Sequence, residues 1–336
     1  MRTFIIPAIA AIAIPMSCGA QGAPEHPKIH IAAAAAAVSY VAPFVALSKG
    51  YFKDEGLDVS IANFQSGVKA LNAVIGGSSD IGLGSYGHMI TMASKGQKIK
   101  TFVSFLRCPG YAVLVRNGLQ AHSIADLKGM KIGVSAPGAS TDQSMKYLMV
   151  KAGLKPDDYT AIGIGNSAGS VAAVAKGMVD ATIVIEPVSS ELLSRKVARL
   201  LVDMRGHDGN DKAFGGEYPE GSLYASDQFI HDNPKTIQAL TNAIVRANKW
   251  LQTAKPAEVV DSLPKEFVGE DKSLLENAFG NIRTCLSPDG LTSPSGAQQV
   301  FNIMSTSDSS LASKNIDLDS TYTNQFVNNA LKKSGQ

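Results

Sequence analysis

The chain is short of the residues from which most catalytic and metal centres are built. Three cysteines and six histidines occur in 336 residues. No cysteine sits in a CxxC or CxxH pair, and the histidines (26, 30, 88, 122, 207 and 231) keep no ligand spacing. Neither a metal site nor a dithiol redox centre is expected. GxSxG, HExxH and P-loop signatures are also missing, so no catalytic residue is assigned and no cofactor is expected. Gly163-Ile-Gly-Asn-Ser-Ala168 fits the loose GxGxxA form of a dinucleotide fingerprint. It stands mid-chain, before a helix of barely two turns, and carries no assignment.

An excess of one charge is lacking too. The 31 basic and 29 acidic residues leave a formal net charge of +2 and are scattered along the chain. Without a basic stripe, nucleic acid is not expected as a partner.

Long apolar runs are scarce. The one candidate, Phe4 to Met16, follows Arg2 and precedes the small residues Ser17, Cys18, Gly19 and Ala20. That is the tripartite pattern of a secretory signal peptide, and the run is too short to span a bilayer comfortably. Residues 1–20 are therefore expected to be cleaved after Ala20. Cys18 offers a second reading, a lipid anchor after a cut just before that cysteine, although Pro15 and Met16 fit the usual lipobox poorly. Both readings export the protein. Cys108 and Cys285 then remain. An oxidising compartment allows them to pair, but free cysteines usually behave as small buried hydrophobes, and two separate cysteines is the preferred reading.

What is present points to α/β architecture. With 45% hydrophobic residues the chain can bury two ordinary cores. Strands are expected near 28–33, 57–64, 80–84, 131–135, 160–164 and 181–185. Helical stretches of ten or so residues lie between them, the grammar of a parallel sheet. Ala73-Val74…Gly77…Asp80-Ile81 is echoed by Ala173-Val174…Gly177…Asp180-Ala181. The echo reads either as an internal repeat or as the common helix-stop-strand pattern of βαβ units. After Asn233 the pattern turns helical; Ile237, Leu240, Ile244, Ala247 and Leu251 mark one apolar face. These blocks suggest a first lobe of residues 28–110 plus 226–336 and a second lobe of 111–225. Chain crossings are expected near 108–111 and 221–227.

The candidate binding residues stand just after a strand and just before a helix. They are Ser39 and Tyr40; Gln65, Ser66 and Gly67; Ser85, Tyr86 and His88; Gly138, Ala139, Ser140 and Thr141; and Asn166, Ser167 and Ala168. Backbone N–H groups at such helix starts hold anions without a formal counter-charge. The same Ser, Thr and Asn residues also serve simply as helix caps. Arg107 is the cation nearest a crossing and suits a charge-assisted ligand contact; a solvated surface arginine is the plainer account. Glu186 ends an apolar strand, where it either receives an ammonium or ring N–H from a ligand or anchors its own loop. Tyr86 and Tyr111 could stack on a ring or serve as ordinary aromatics of the lobe surface. His88 reads most simply as a packing or capping residue.

Three blocks resemble one family, the nitrate, sulfonate, taurine and thiamine-precursor binding proteins of bacterial ABC importers. They are Pro43-Phe-Val-Ala-Leu-Ser-Lys-Gly-Tyr-Phe-Lys-Asp-Glu-Gly-Leu-Asp-Val59, Gly76-Gly-Ser-Ser-Asp-Ile-Gly-Leu-Gly-Ser85, and a set of four pieces. The set is Pro109-Gly-Tyr111, Leu127-Lys-Gly-Met-Lys-Ile-Gly-Val-Ser-Ala-Pro-Gly138, Gly177-Met-Val-Asp-Ala181 and Glu186-Pro187. The resemblance implies a type II periplasmic binding protein fold: two lobes, two crossovers, and a central cleft that closes on its ligand. It implies a periplasmic protein, working as a monomer, that delivers a small molecule to a permease and ATPase complex. It supports Ser39, Ser66, Ser85, Ser140, Thr141 and Glu186 as contacts. An aliphatic sulfonate or related small anion is the first expectation for the ligand, and a thiamine-precursor pyrimidine or other aromatic molecule the alternative. The loop after the first strand departs from the family by carrying alanines 32–37, which would enlarge the cleft or mark another subfamily. Thiamine-pyrimidine synthases share the fold and use a cysteine-rich motif with a catalytic histidine. That cluster is missing here, so an enzyme reusing the fold is disfavoured.

Overall fold

The computed structural model describes residues 22–268, 271–333 and 335. The expected signal peptide and Cys18 lie outside them. Ten strands run through the described chain: β1 (Lys28–Ala33), β2 (Asp58–Asn63), β3 (Ile81–Ser85), β4 (Ile99–Ser104), β5 (Tyr111–Arg116), β6 (Lys131–Val134), β7 (Thr160–Gly163), β8 (Ala181–Val184), β9 (Ala198–Met204) and β10 (Gly221–Ser226). They form two five-stranded sheets, ordered β2-β1-β3-β10-β4 and β7-β6-β8-β5-β9. Position by position the two orders correspond, β1 with β6, β2 with β7 and β3 with β8.

Neither sheet is wholly parallel, as the alternation of strands and helices had suggested. In the first sheet β10 runs against β3 and β4, and in the second β5 runs against β8 and β9. The reason is topological. The parallel strands run towards the other lobe, whereas β5 and β10 follow the two crossings and so run away from it. Because β10 lies in the first sheet, residues 221–225 belong with that sheet and the return crossing precedes Gly221. Buried β5, Tyr-Ala-Val-Leu-Val, reads as a continuous apolar run rather than an alternation, which is how strands covered on both faces read.

The echo noted in the sequence has a structural cause. Gly77 and Gly177 both take left-handed backbone conformations, φ 72° and 68°, which end their helices. The following aspartates then fasten each central strand to its neighbour. Asp80 Oδ2 accepts from His30 N at 2.8 Å, and Asp180 Oδ2 accepts from Lys131 N at 3.0 Å.

The two crossings run side by side: Leu106 N donates to Gly221 O, and Tyr218 N donates to Arg107 O. A third segment joins them. Arg107 N donates to Cys285 O at 2.7 Å and Ser287 N donates to Phe105 O at 2.9 Å. Cys108 and Cys285 are disulfide-bonded, their Cα atoms 5.0 Å apart, so the reading as separate cysteines was wrong. Tertiary pairing of residues 177 positions apart leaves no local spacing signal to read. The C-terminal helices, expected with the first lobe, touch both. Helix Lys272–Ile282 meets residues 38–40 and helix Val188–Ser194, and helix Pro294–Ser307 meets Ser140–Lys151 as well as Gly87–Ala93. Helix Pro234–Thr253 buries its expected face, Ile237, Leu240, Ile244, Ala247 and Leu251, with each isoleucine or leucine contributing roughly 1.5–3 kcal/mol. Among the described residues no helix is long and apolar enough to cross a membrane.

Candidate functional site

The carboxyl ends of β1, β2, β3, β6, β7 and β8 all face the gap between the sheets, the place where open α/β sheets present ligand loops. From the first lobe Ala34, Tyr40, Gly67, Ser85 and His88 line a small central cavity. From the other side come Tyr111, Ser135, Ser140, Thr141, Asn166 and Ile185. The lobes are shut around it. A Cβ placed on Gly165 would lie 3.5 Å from Gln65 O, and one on Gly87 would lie 3.6 Å from Gln143 Oε1. Only about 10 Å³ remains in which the centre of a water-sized body can move. That is room for about one water, so a larger guest enters only when the lobes part. Two wider grooves flank the cavity. One, of about 790 Å³, includes Ala35, Phe64, Asn166, Val188 and Phe267, and the other, of about 650 Å³, includes His88, Gly138, Gln143 and Lys146.

Behind the cavity wall lies Glu220, 1% exposed. Its Oε1 accepts from Tyr111 Oη and from Ser140 Oγ, both at 2.9 Å, and its Oε2 accepts from Ser85 Oγ at 2.7 Å. One carboxylate thus ties a first-lobe serine to two residues of the second lobe. Burial raises the pKa of Glu220 and the three hydroxyl donors oppose that rise. Burial, and then the charge of Glu220, push the Tyr40 and Tyr111 hydroxyls far above the ordinary phenol range. Burial lowers His88 to about 4, so its ring is neutral, and its Nε2 has no hydrogen-bond partner. That nitrogen stands where a Cβ on Gly67 would come within 2.6 Å, which is why glycine begins that helix. Asn166 Oδ1 is likewise buried and unpartnered. Such orphans are uncommon in folded proteins and call for a reason.

Of the candidates the sequence offered, Tyr40, Gly67, Ser85, His88, Tyr111, Ser140, Thr141 and Asn166 come together at the cavity. Ser39, Gln65, Ser66, Tyr86, Arg107, Gly138, Ala139, Ser167, Ala168 and Glu186 do not line it. Ser66 caps its own helix by accepting from Lys69 N at 3.4 Å. Gly138 borders the 650 Å³ groove, its N–H donated to Asp142. Ser39 is buried in the turn Val38–Tyr40 and caps nothing, because the helix begins two residues later. Tyr86 points into the first lobe, bonded to Thr321 and edge-on to Tyr322. Arg107 sits at the crossings, paired with Asp289 at 2.6 Å and Glu217 at 3.7 Å. Glu186 is fully buried and accepts from Ser190 N, Ser190 Oγ, Asn281 Nδ2 and Arg205 Nη1, the loop-anchoring alternative of the two the sequence allowed.

Glu220 was missed. It follows Pro219 and precedes Gly221, inside what reads as a turn, and nothing local marks it as buried. The one available signal was an acid placed directly before strand β10, Gly221–Ser226.

Residues 39–259 match the family model described as NMT1/THI5 like. A solved structure from Bordetella bronchiseptica RB50 is 38% identical, covers 94% of this chain and 100% of its own, and superposes with a TM-score of 0.88. The putative binding protein YtlA of Bacillus subtilis (strain 168) is 25% identical over 79% of this chain and 78% of its own length. The alkanesulfonate-binding protein SsuA of Xanthomonas axonopodis pv. citri is 19% identical, with a TM-score of 0.73 over 89% of this chain and 98% of its own, a likeness of fold alone. The chain belongs to the NMT1/THI5-like family, and its two lobes have the periplasmic binding protein fold.

Proposed function

We propose that this protein is the solute-capturing component of an ABC importer. It takes a small organic molecule between its lobes in the periplasm and hands it to a membrane permease and its ATPase. One observation carries the reading: loops from the carboxyl ends of both sheets converge on a single cavity whose buried polar atoms His88 Nε2 and Asn166 Oδ1 have no partner. A guest supplying those partners would favour the shut arrangement, as ligands that bind one state must. Two ligand classes come with the family. One is the sulfonate, nitrate and taurine class, to which the alkanesulfonate named for the SsuA neighbour belongs; the other is the aromatic thiamine-precursor class. They differ in the charge they ask of the cavity.

Mass spectrometry of small molecules released from natively purified protein tests the reading. A released molecule that, returned to the stripped protein, raises its Tm reversibly supports carriage. A covalent adduct, or conversion of the returned molecule, would support an enzyme reusing the fold instead.

A further inference from the structure

We propose that Glu220 is a positioning residue for capture. Its hydrogen bond with Ser140 latches the two lobes together through protein groups alone, and so sets how readily the cavity shuts on a guest. The proposal rests on the receptor reading above and holds for either ligand class.

The main chain of Glu220 is fixed to the first lobe. Its carbonyl accepts from Tyr86 N at 3.0 Å, just past the end of β3, and its N–H donates to Leu106 O at 3.4 Å. The next residue, Gly221, pairs with Ser85 in the first sheet. From that base the carboxyl group reaches both ways. Oε2 stays with Ser85 of the same lobe, while Oε1 faces Tyr111 and Ser140 of the other. Tyr111 opens β5 just after the crossing that the Cys108–Cys285 disulfide fastens to a third segment. Ser140 is placed differently. It starts the helix Ser140–Lys151 between β6 and β7, so it travels with the body of the second lobe. Parting the lobes must break its bond to Glu220.

The other two hydroxyls keep partners when that bond breaks. Ser85 retains Glu220, and Tyr111 has Ser140 Oγ at 2.8 Å as a second acceptor in its own lobe. Water entering the gap then serves Ser140 and the freed side of the carboxyl group. Opening therefore orphans no buried group and costs about one net hydrogen bond, a balance that suits an element with two arrangements. In the shut arrangement Glu220 is buried, and water does not compete there. An acceptor at Oε1 is all the latch needs, whether or not Oε2 carries a proton.

Spin labels on Lys69→Cys and Ala172→Cys, with the native disulfide left intact, read the lobe separation. Both residues are exposed, and neither borders the cavity. They lie near the starts of the helices that follow Gln65 and Gly165, which face each other across the gap. Those helices follow β2 and β7, each an edge strand of its sheet. In protein stripped of ligand by unfolding and refolding, wild type should show mainly the short distance. Ser140→Ala should lower the shut-to-parted ratio about fivefold, the worth of one net hydrogen bond. Ser85→Ala, which removes a bond inside the first lobe, should stay near the wild-type ratio. Loss of a ligand contact alone would weaken binding without moving the labels in ligand-free protein. A wild type already parted, a Ser140→Ala as shut as wild type, or a Ser85→Ala as parted as Ser140→Ala overturns the proposal and leaves the receptor reading intact. Should Ser140→Ala not fold, Ser140→Gly removes the same hydroxyl and is read in the same way. If native protein releases no molecule and the labels keep one distance in every variant, the receptor reading fails, and the latch with it.

Discussion

Asn281, in the helix Lys272–Ile282, donates from Nδ2 to Glu186 Oε1 at 2.8 Å, so a buried carboxylate of the second lobe is held by a helix that also meets the first. Arg205 Nη1, 12% exposed, lies 3.2 Å from the same oxygen. Removing the carboxylate takes the acceptor from Ser190 N, Ser190 Oγ and Asn281 Nδ2, while the guanidinium keeps Asp203 at 2.6 Å. Glu186→Ala should lower unfolding free energy by about 2–4 kcal/mol, since buried donors left unsatisfied cost about 1–3 kcal/mol each. Urea unfolding measures it. A loss below about 1 kcal/mol would mean that the pair is solvated.

Arg107 should prove a hinge residue. Its side chain is about a third exposed and is shared between Asp289 and Glu217. Arg107→Ala is expected to lower stability by about 1 kcal/mol or less. It should leave unaltered the thermal stabilisation given by the molecule released from native protein. A large loss of that stabilisation with stability intact would return Arg107 to the ligand.

Glycine content is a matter of close approach at one point in the first sheet. A Cβ on Gly82 would lie 2.0 Å from the ring of Tyr224, which is wholly buried. Two residues on, a Cβ on Gly84 meets nothing nearer than Ala34 Cβ at 3.4 Å. Gly82→Ala should cost about 1–3 kcal/mol or more by overpacking, and Gly84→Ala much less. Equal effects in thermal melts would show that Tyr224 moves aside freely.

Stability should fall in mild acid through His88. Its pKa is about 4 in the folded protein and 6.5 ordinarily. As pH falls through 6.5 the unfolded chain takes up a proton that the folded chain refuses until about 4. Stability present above 6.5 is therefore lost across that window, about 2 kcal/mol between about pH 7.5 and pH 5. Paired denaturant titrations at those two pH values should give His88→Gln a smaller loss than wild type. The same loss in both would assign the acid sensitivity elsewhere.

Cys108 and Cys285 should yield no free thiol in unfolded, unreduced protein. The bond closes a loop of 177 residues. Changing both to serine should cost about 3–5 kcal/mol on the chain-entropy account. Two titratable thiols in the native preparation would contradict the pairing.

Local pattern reached the parallel strands and their helix starts, because each is written in consecutive residues. Gly77 and Gly177 stop helices through their own backbone freedom, and the apolar stripe from Ile237 to Leu251 is set by helical pitch alone. The loops holding Ser85, Ser140 and Asn166 were legible for the same reason, as small or polar residues between a strand and a helix. Strands β4, β5, β9 and β10 were harder. Strands β5 and β10 take their direction from where the chain re-enters each lobe, which no window of ten residues contains.

Side-chain roles divided along a similar line. Ser66 and Asp142 are spent on their own helix starts, a local matter. Whether Arg107 reached the cavity depended on Asp289, and whether Glu186 was free depended on Asn281 and Arg205. The order of residues along the chain determined two α/β lobes and the family, since periodicity and short motifs need only neighbours. Only the folded chain decided which polar groups meet across the gap, because Ser140 and Glu220 stand 80 positions apart and the burial that brings them together belongs to neither lobe alone.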